Sequence, residues 1–131
     1  MKTTSVGTKY GILVKFNPNK STVSISSVVI DNNSNTSLFG RIIDADLIDV
    51  AEWDENIDIV VNDEGLLVEG NLVYDIKTPN GNIQLAGDLL FLKKEFQEDG
   101  IKLVGMDSGE ALKMLIDLQG AIRVIGVTRG F

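Results

Sequence analysis

The sequence predicts an α+β fold: a mostly antiparallel β-sheet or partial barrel, with one capped C-terminal helix (about 108–119) packed on it. Three observations predict it. Short runs of β-branched and aromatic residues recur along the chain, separated by clusters of Asn, Asp, Gly and Pro. Asp107-Ser-Gly-Glu110 carries the pattern of a helix start. Residues 42–76 interleave eleven carboxylates with strand formers and contain no lysine or arginine. That mixture describes folded sheet with an acidic outer face, because a disordered acidic tail would lack the apolar residues.

Taken in order, Lys9 to Phe16 reads as a strand and Asn17 to Ser21 as a turn. Thr22 to Ile30 returns as the second arm of a hairpin. Asp31 to Ser37 is a polar loop of the kind that tolerates insertion or local disorder. Leu38 to Trp53 fits two descriptions. As a helix, Phe39, Ile43, Leu47 and Val50 share one face. As a strand, Ile43, Ala45 and Leu47 point inward and a bulge near Ile48 changes the parity. The β-branched residues favour the strand. Ile57 to Val61 alternates as a strand, and Asn62-Asp-Glu-Gly65 turns the chain, with Gly65 able to take positive φ. Leu66 to Glu69 and Leu72 to Ile76 read as two further short strands. Thr78-Pro-Asn-Gly81 is the clearest turn, leading into Ile83 to Leu85. Leu89 to Leu92 is a continuous apolar run, expected at the sheet centre with both faces covered. Ile101 to Val104 follows a charged turn at 95–100. Asp107 and Glu110 form a capping box. Ala111, Leu112, Leu115, Ile116 and Leu118 make the helix stripe, and Gly120 ends it in a left-handed turn. Ala121 to Val127 is a last strand, after which Thr128 to Phe131 frays.

The length of 131 residues suits one domain. No segment approaches the roughly 18–20 apolar residues of a membrane span, and the first eleven residues lack the pattern of a signal peptide. The expected location is the cytoplasm. The chain has neither cysteine nor histidine, which excludes disulfides, thiolate and imidazole metal sites, and the Ser-His-Asp and Cys-His constellations. No catalytic residue, metal ligand or cofactor is assigned.

Charge is distributed unevenly. Residues 1–41 hold five basic groups and one acid, residues 42–76 hold eleven acids alone, and residues 77–131 hold seven of each. Phosphates are repelled by the middle segment, so it does not bind nucleic acid directly. The candidate partner-binding residues are Asp44, Asp46, Asp49, Glu52, Asp54, Glu55 and Asp58, with Trp53 as an anchor if it is exposed. In the strand description, Asp44 and Asp46 lie on one side, about 7 Å apart. The partner such a face suits is the basic groove of a nuclease or other nucleic-acid-binding protein. A competing reading is an oligomer that binds a small nucleotide signal at a subunit interface. Lys9, Lys15, Lys20 and Arg41, or Arg123 and Arg129, would then face the phosphates. A weaker one is a metal-dependent hydrolase using the aspartates.

The segment Ile59-Val-Val-Asn-Asp-Glu-Gly-Leu-Leu67, followed by Asn71, Ala86-Gly-Asp-Leu-Leu-Phe91 and a capped helix, resembles a family of small phage and plasmid proteins labelled only as a domain of unknown function. The resemblance covers about residues 40–118. Val68-Glu-Gly-Asn71 stands where that family often has a proline, and the strand after Gly120 is additional. The resemblance implies an accessory protein of a mobile element in a bacterial host cell. It carries no catalytic residues over. Small acidic proteins of that setting often inhibit host defence nucleases by mimicking the charge of DNA, and by that association such an enzyme is the expected partner.

Overall fold

The computed structural model describes residues 7–31 and 36–129. In chain order the elements are Tyr10–Asn17 (β1), Thr22–Val29 (β2), Thr36–Ile42 (α1), Ile48–Glu52 (β3) and Ile57–Asn62 (β4). A 3-10 turn at Gly65–Leu67 follows, then Leu72–Thr78 (β5), Gly81–Ala86 (β6), Leu89–Gln97 (β7), Gly100–Val104 (β8), Ser108–Leu118 (α2) and Ile122–Val127 (β9). The strands form two sheets. One has the order β2-β1-β7-β4-β3, with β8 also pairing to β7; the other has the order β6-β5-β9. Every strand pairing is antiparallel. The expected α+β architecture is the observed one.

The apolar run Leu89 to Leu92 has no accessible surface on any of its four residues. Successive residues of a strand face opposite ways, so this run needs cover on both sides. Leu90 and Leu92 meet Leu13, Val60, Phe39 of α1 and Ile43 just beyond its end. Leu89 and Phe91 enter a larger cluster with Ile12, Ile59, the β5 residues Leu72, Tyr74 and Ile76, and the α2 residues Ala111, Met114 and Leu118. The larger sheet is therefore sandwiched, with α1 on one face and the smaller sheet plus α2 on the other.

Local chemistry fixes the ends of these elements. The Asp107 side chain accepts the Glu110 amide at 2.8 Å and the Glu110 side chain accepts the Asp107 amide at 3.0 Å, so the capping box is complete. These bonds hold the Asp107 carboxyl below its ordinary range, the Glu110 amide contributing most. Gly120 ends the helix at φ 78°. In the β5–β6 turn the Thr78 hydroxyl donates to the Gly81 carbonyl and accepts the Asn80 amide. No helix among the described residues is long and apolar enough to cross a membrane.

Several expectations are corrected. The stretch 38–53 is divided: helical to Ile42, irregular through Leu47, and strand only from Ile48. Phe39 and Ile43 are buried on the helical face as expected, whereas Leu47 and Val50 are exposed. Close packing fixes the break, since the Gly40 carbonyl accepts the Ala45 amide at 2.8 Å and a Cβ on Gly40 would lie 2.6 Å from the Ala45 oxygen. Leu66 to Glu69 is not a strand, and Asn62 to Gly65 leads from one sheet towards the other instead of closing a hairpin. Gly65 has ordinary φ; it is required because a Cβ there would lie 2.5 Å from the Ala86 oxygen. On α2 the buried residues are Ala111, Met114 and Leu118, while Leu112 and Ile116 are exposed. Thr128 does not fray. It is buried, and it exchanges hydrogen bonds with Val68, Gly70 and Asn71. Within the expected polar loop at 31–37, residues 32–35 lie outside the described residues, as do 130 and 131.

Tyr74 is fully buried in the larger cluster, and its hydroxyl has no hydrogen-bond partner among the described residues. Burial, helped by the charge of Asp88, pushes its pKa up to about 12 from 10.0. The unfolded chain ionises first, so stability present below pH 10 is lost as pH rises towards 12, a span that corresponds to roughly 2–3 kcal/mol. Tyr74→Phe removes a group already without a partner. Urea denaturation is expected to show a change below about 1 kcal/mol at pH 7 and a shallower loss than the parent between pH 10 and 12.

Candidate functional site: the two ends of the β3–β4 hairpin

Strands β3 and β4 pair from Ile48 opposite Asn62 to Glu52 opposite Asp58. β3 is an outer strand of the larger sheet. Its outward position and its charges follow from each other, because carboxylates on an edge strand stay hydrated and discourage further strand pairing. Of the acids of residues 42–76, all but Glu69 and Asp75 lie towards one or other end of this hairpin.

At the Asp58 end two of them are matched by a cation. Glu52 and Asp58 stand directly opposite each other, a repulsive arrangement unless a cation intervenes. Lys94 of β7 supplies it. Its Nζ lies 2.7 Å from Glu52 Oε2 and 3.1 Å from Asp58 Oδ1, and it donates to the Asp54 carbonyl at 3.0 Å. The Lys94 side chain is only 6% exposed and Asp58 only 13%. Burial acts to lower the lysine's pKa, but the hydrogen bonds it donates to Glu52 and Asp58 outweigh it, and the pKa stands above its ordinary value. Asp54 is a turn residue: one carboxylate oxygen accepts the amides of Asn56 and Ile57, each at 2.8 Å. Glu55 is exposed at the tip. Trp53 is 4% exposed, with its ring edge-on to Phe91 at 5.8 Å between centroids. Trp53 belongs to the core and presents no anchor to a partner, and Glu52, Asp54 and Asp58 are occupied within the fold.

At the Asn62 end the carboxylates are not matched. After α1 the chain turns through Asp44 at φ 55°, a left-handed conformation that Asp tolerates better than most residues. Asp44 and Asp46 are therefore on a turn, not on one side of a strand. With Asn62, Glu64 and Leu67 they line a cavity of about 300 Å³. Asp63 is tied to the same turn by its amide, which donates to the Leu47 carbonyl at 2.9 Å. Asp49 and Asp63 line the neighbouring cavity beside Gln84 and Ala86. Among the described residues none of these five carboxylates (Asp44, Asp46, Asp49, Asp63, Glu64) forms an ion pair. Elsewhere Asp75 pairs with Arg123, Asp88 with Lys15, Glu110 with Lys93 and Asp117 with Lys113.

The structure places Asp44 and Asp46 of the expected site beside Glu64 in one cavity and Asp49 beside Asp63 in the next. Asp63 and Glu64 belong to the same lysine-free run, but their place in a turn concealed that they fold back beside Asp46. The cations of the nucleotide-binding reading do not converge: Lys15 is bound to Asp88 and Arg123 to Asp75. Lys9 lines a separate cavity of about 400 Å³ with Lys93, Lys102 and the acids Asp31, Glu95 and Glu110. Among the described residues no three His, Cys, Asp or Glu side chains form a metal-holding group. No family model matches the chain, and no curated protein and no solved structure matches it.

Lys94 is the residue whose loss separates structural acids from free ones. Lys94→Met leaves Asp58 buried without its cation and is expected to cost about 2–4 kcal/mol in chemical denaturation. Glu52→Gln, at the exposed side of the same trio, should cost less than about 1 kcal/mol.

Proposed function

We propose that this chain is a non-enzymatic acidic binding protein whose target is the basic, nucleic-acid-binding surface of another protein. The surface that meets the target is the Asn62 end of the β3–β4 hairpin. One observation carries the reading: Asp44, Asp46, Asp49, Asp63 and Glu64 line two neighbouring cavities there without an ion pair among the described residues, while Lys15, Lys93, Lys94 and Lys113 pair with acids elsewhere.

Uncompensated like charge raises the free energy of the folded state slightly, and a cationic partner relieves that cost on binding. Carboxylates spaced along a rigid hairpin end offer lysines and arginines of a phosphate-binding groove the same partner chemistry as a nucleic-acid backbone. Occupying the groove excludes the nucleic acid by direct competition. In the mobile-element setting implied by the family resemblance, the target is a host defence nuclease and the outcome is its inhibition. Long-range attraction between opposite charges makes association fast and salt-sensitive.

The test is affinity capture from a bacterial lysate at low and high salt with the parent chain and with the triple variant Asp46→Lys, Asp63→Lys, Glu64→Lys. Asp54 is left intact because it holds the hairpin turn. The parent should retain a basic nucleic-acid-binding protein at low salt and release it at high salt. Three reversed charges should weaken that binding by at least about a hundredfold without changing the circular dichroism. Retention by the triple variant would remove the basis for the reading.

A further inference from the structure

The larger sheet has two lateral edges, and they are built differently. On β3 the edge carries Asp49 and Glu52, charges that oppose the approach of another strand. The other exposed strands carry their own obstacles: Lys102 on β8, Arg123 and a register shift on β9, and the Gly65–Leu67 turn packed against the end of β6. β2, Thr-Val-Ser-Ile-Ser-Ser-Val-Val, has no charge, no proline, no glycine and no bulge over eight residues. Among the described residues its outer side pairs with nothing.

The register shows which groups are free. Ile30 donates its amide to the Lys9 carbonyl at 2.9 Å, which makes Lys9 and Ile30 a hydrogen-bonded pair. Antiparallel pairs alternate in this respect. The backbone groups of Val28, Ser26, Ser24 and Thr22 therefore turn towards β1, and those of Val23, Ile25, Ser27 and Val29 turn outward. Val23, Ile25 and Val29 are 39%, 38% and 65% exposed. We propose that β2 is the self-association edge of this protein, pairing antiparallel with β2 of a second copy about a two-fold axis at Ser26.

With Ser26 opposite itself, Val23 faces Val29 and Ile25 faces Ser27 of the other copy, so all four outward residues of each strand find hydrogen-bonded partners. This register also keeps like faces together, because residues of equal parity stand opposite each other. Charge selects a second copy as the occupant. A chain of net charge −7 repels its own kind, so contact is cheapest where the carboxylates are farthest away. β2 is neutral, and it lies at the far end of the strand row from β3. In the paired row the two acidic edges stand nine strand spacings apart, roughly 40 Å, well beyond the screening length of about 8 Å at physiological salt. The proposal does not depend on what the acidic edge binds.

The experiment measures the mass of the full chain by light scattering over a dilution series, alongside single variants. The parent should reach twice the chain mass. Ile25→Lys should weaken self-association by at least about thirtyfold, since a charge is placed in the contact. Ser27→Pro should do the same, because it removes an outward amide while sparing the bonds to β1. Val50→Lys on β3 should leave the dimer intact. Ser26→Cys, in a chain with no other cysteine, should oxidise readily to a disulfide-linked dimer, and Ser24→Cys should not. A chain monomeric at every concentration would overturn the proposal. So would a dimer indifferent to both β2 substitutions, or slow exchange of the Ile25 and Ser27 amides in a monomer, which would mean that the chain's own termini cover the edge.

Discussion

Everything in this fold answers to the requirement that β7 be covered on both faces. Four consecutive residues, Leu89 to Leu92, carry no surface, and a strand can achieve that only as the middle of a layered structure. α1 is needed over Leu90 and Leu92, and the β6-β5-β9 sheet with α2 is needed over Leu89 and Phe91. β1 and β4 take the two sides of β7, which pushes β2 and β3 to the margins. The molecule's two functional proposals concern those margins, and the chain treats them in opposite ways. One is charged and the other is neutral.

The same strand sorts the acids. Beyond Leu92, β7 continues into Lys93 and Lys94, which alternate between the faces like the residues before them. Lys94 turns to the face where Glu52 and Asp58 stand opposed and joins them; Lys93 turns to the other and holds Glu110 at 2.6 Å. The hydrogen bond to Glu110 is the largest of the influences that keep Lys93 above its ordinary pKa. No such extension reaches the Asn62 end, where β7 begins at Leu89. The asymmetry of charge along the hairpin thus follows from where the central strand starts and where it runs on.

Much of this architecture was legible in the sequence. Alternation along Ile57 to Val61, the continuous run at Leu89, the capping box at Asp107 and the turn at Thr78 each reflect local chemistry, and each appears where expected. What was not legible depended on contacts between distant residues. Gly40 and Gly65 are fixed by carbonyls at Ala45 and Ala86, one of them far along the chain. Thr128 is held by Val68 and Asn71, and nothing near it in sequence signals this. The acidic run looked like one face because sequence shows that no lysine lies within it. It cannot show that Lys94, some forty residues later, returns to one end. Trp53 sits among acids in sequence and against Phe91 in space, since its neighbours occupy a turn while its own side chain points inward.

In the proposed function the location of the carboxylates, and not the net charge, would set affinity for a basic surface. Calorimetric titration with an oligolysine peptide tests it directly. The parent would be compared with a variant neutralised at Asp46, Asp63 and Glu64 and with one neutralised at Glu95, Glu98 and Asp99 on the β7–β8 hairpin, both of equal net charge. The account predicts that the first variant loses most of the binding and its salt dependence, while the second stays close to the parent. Equal losses in the two would contradict it.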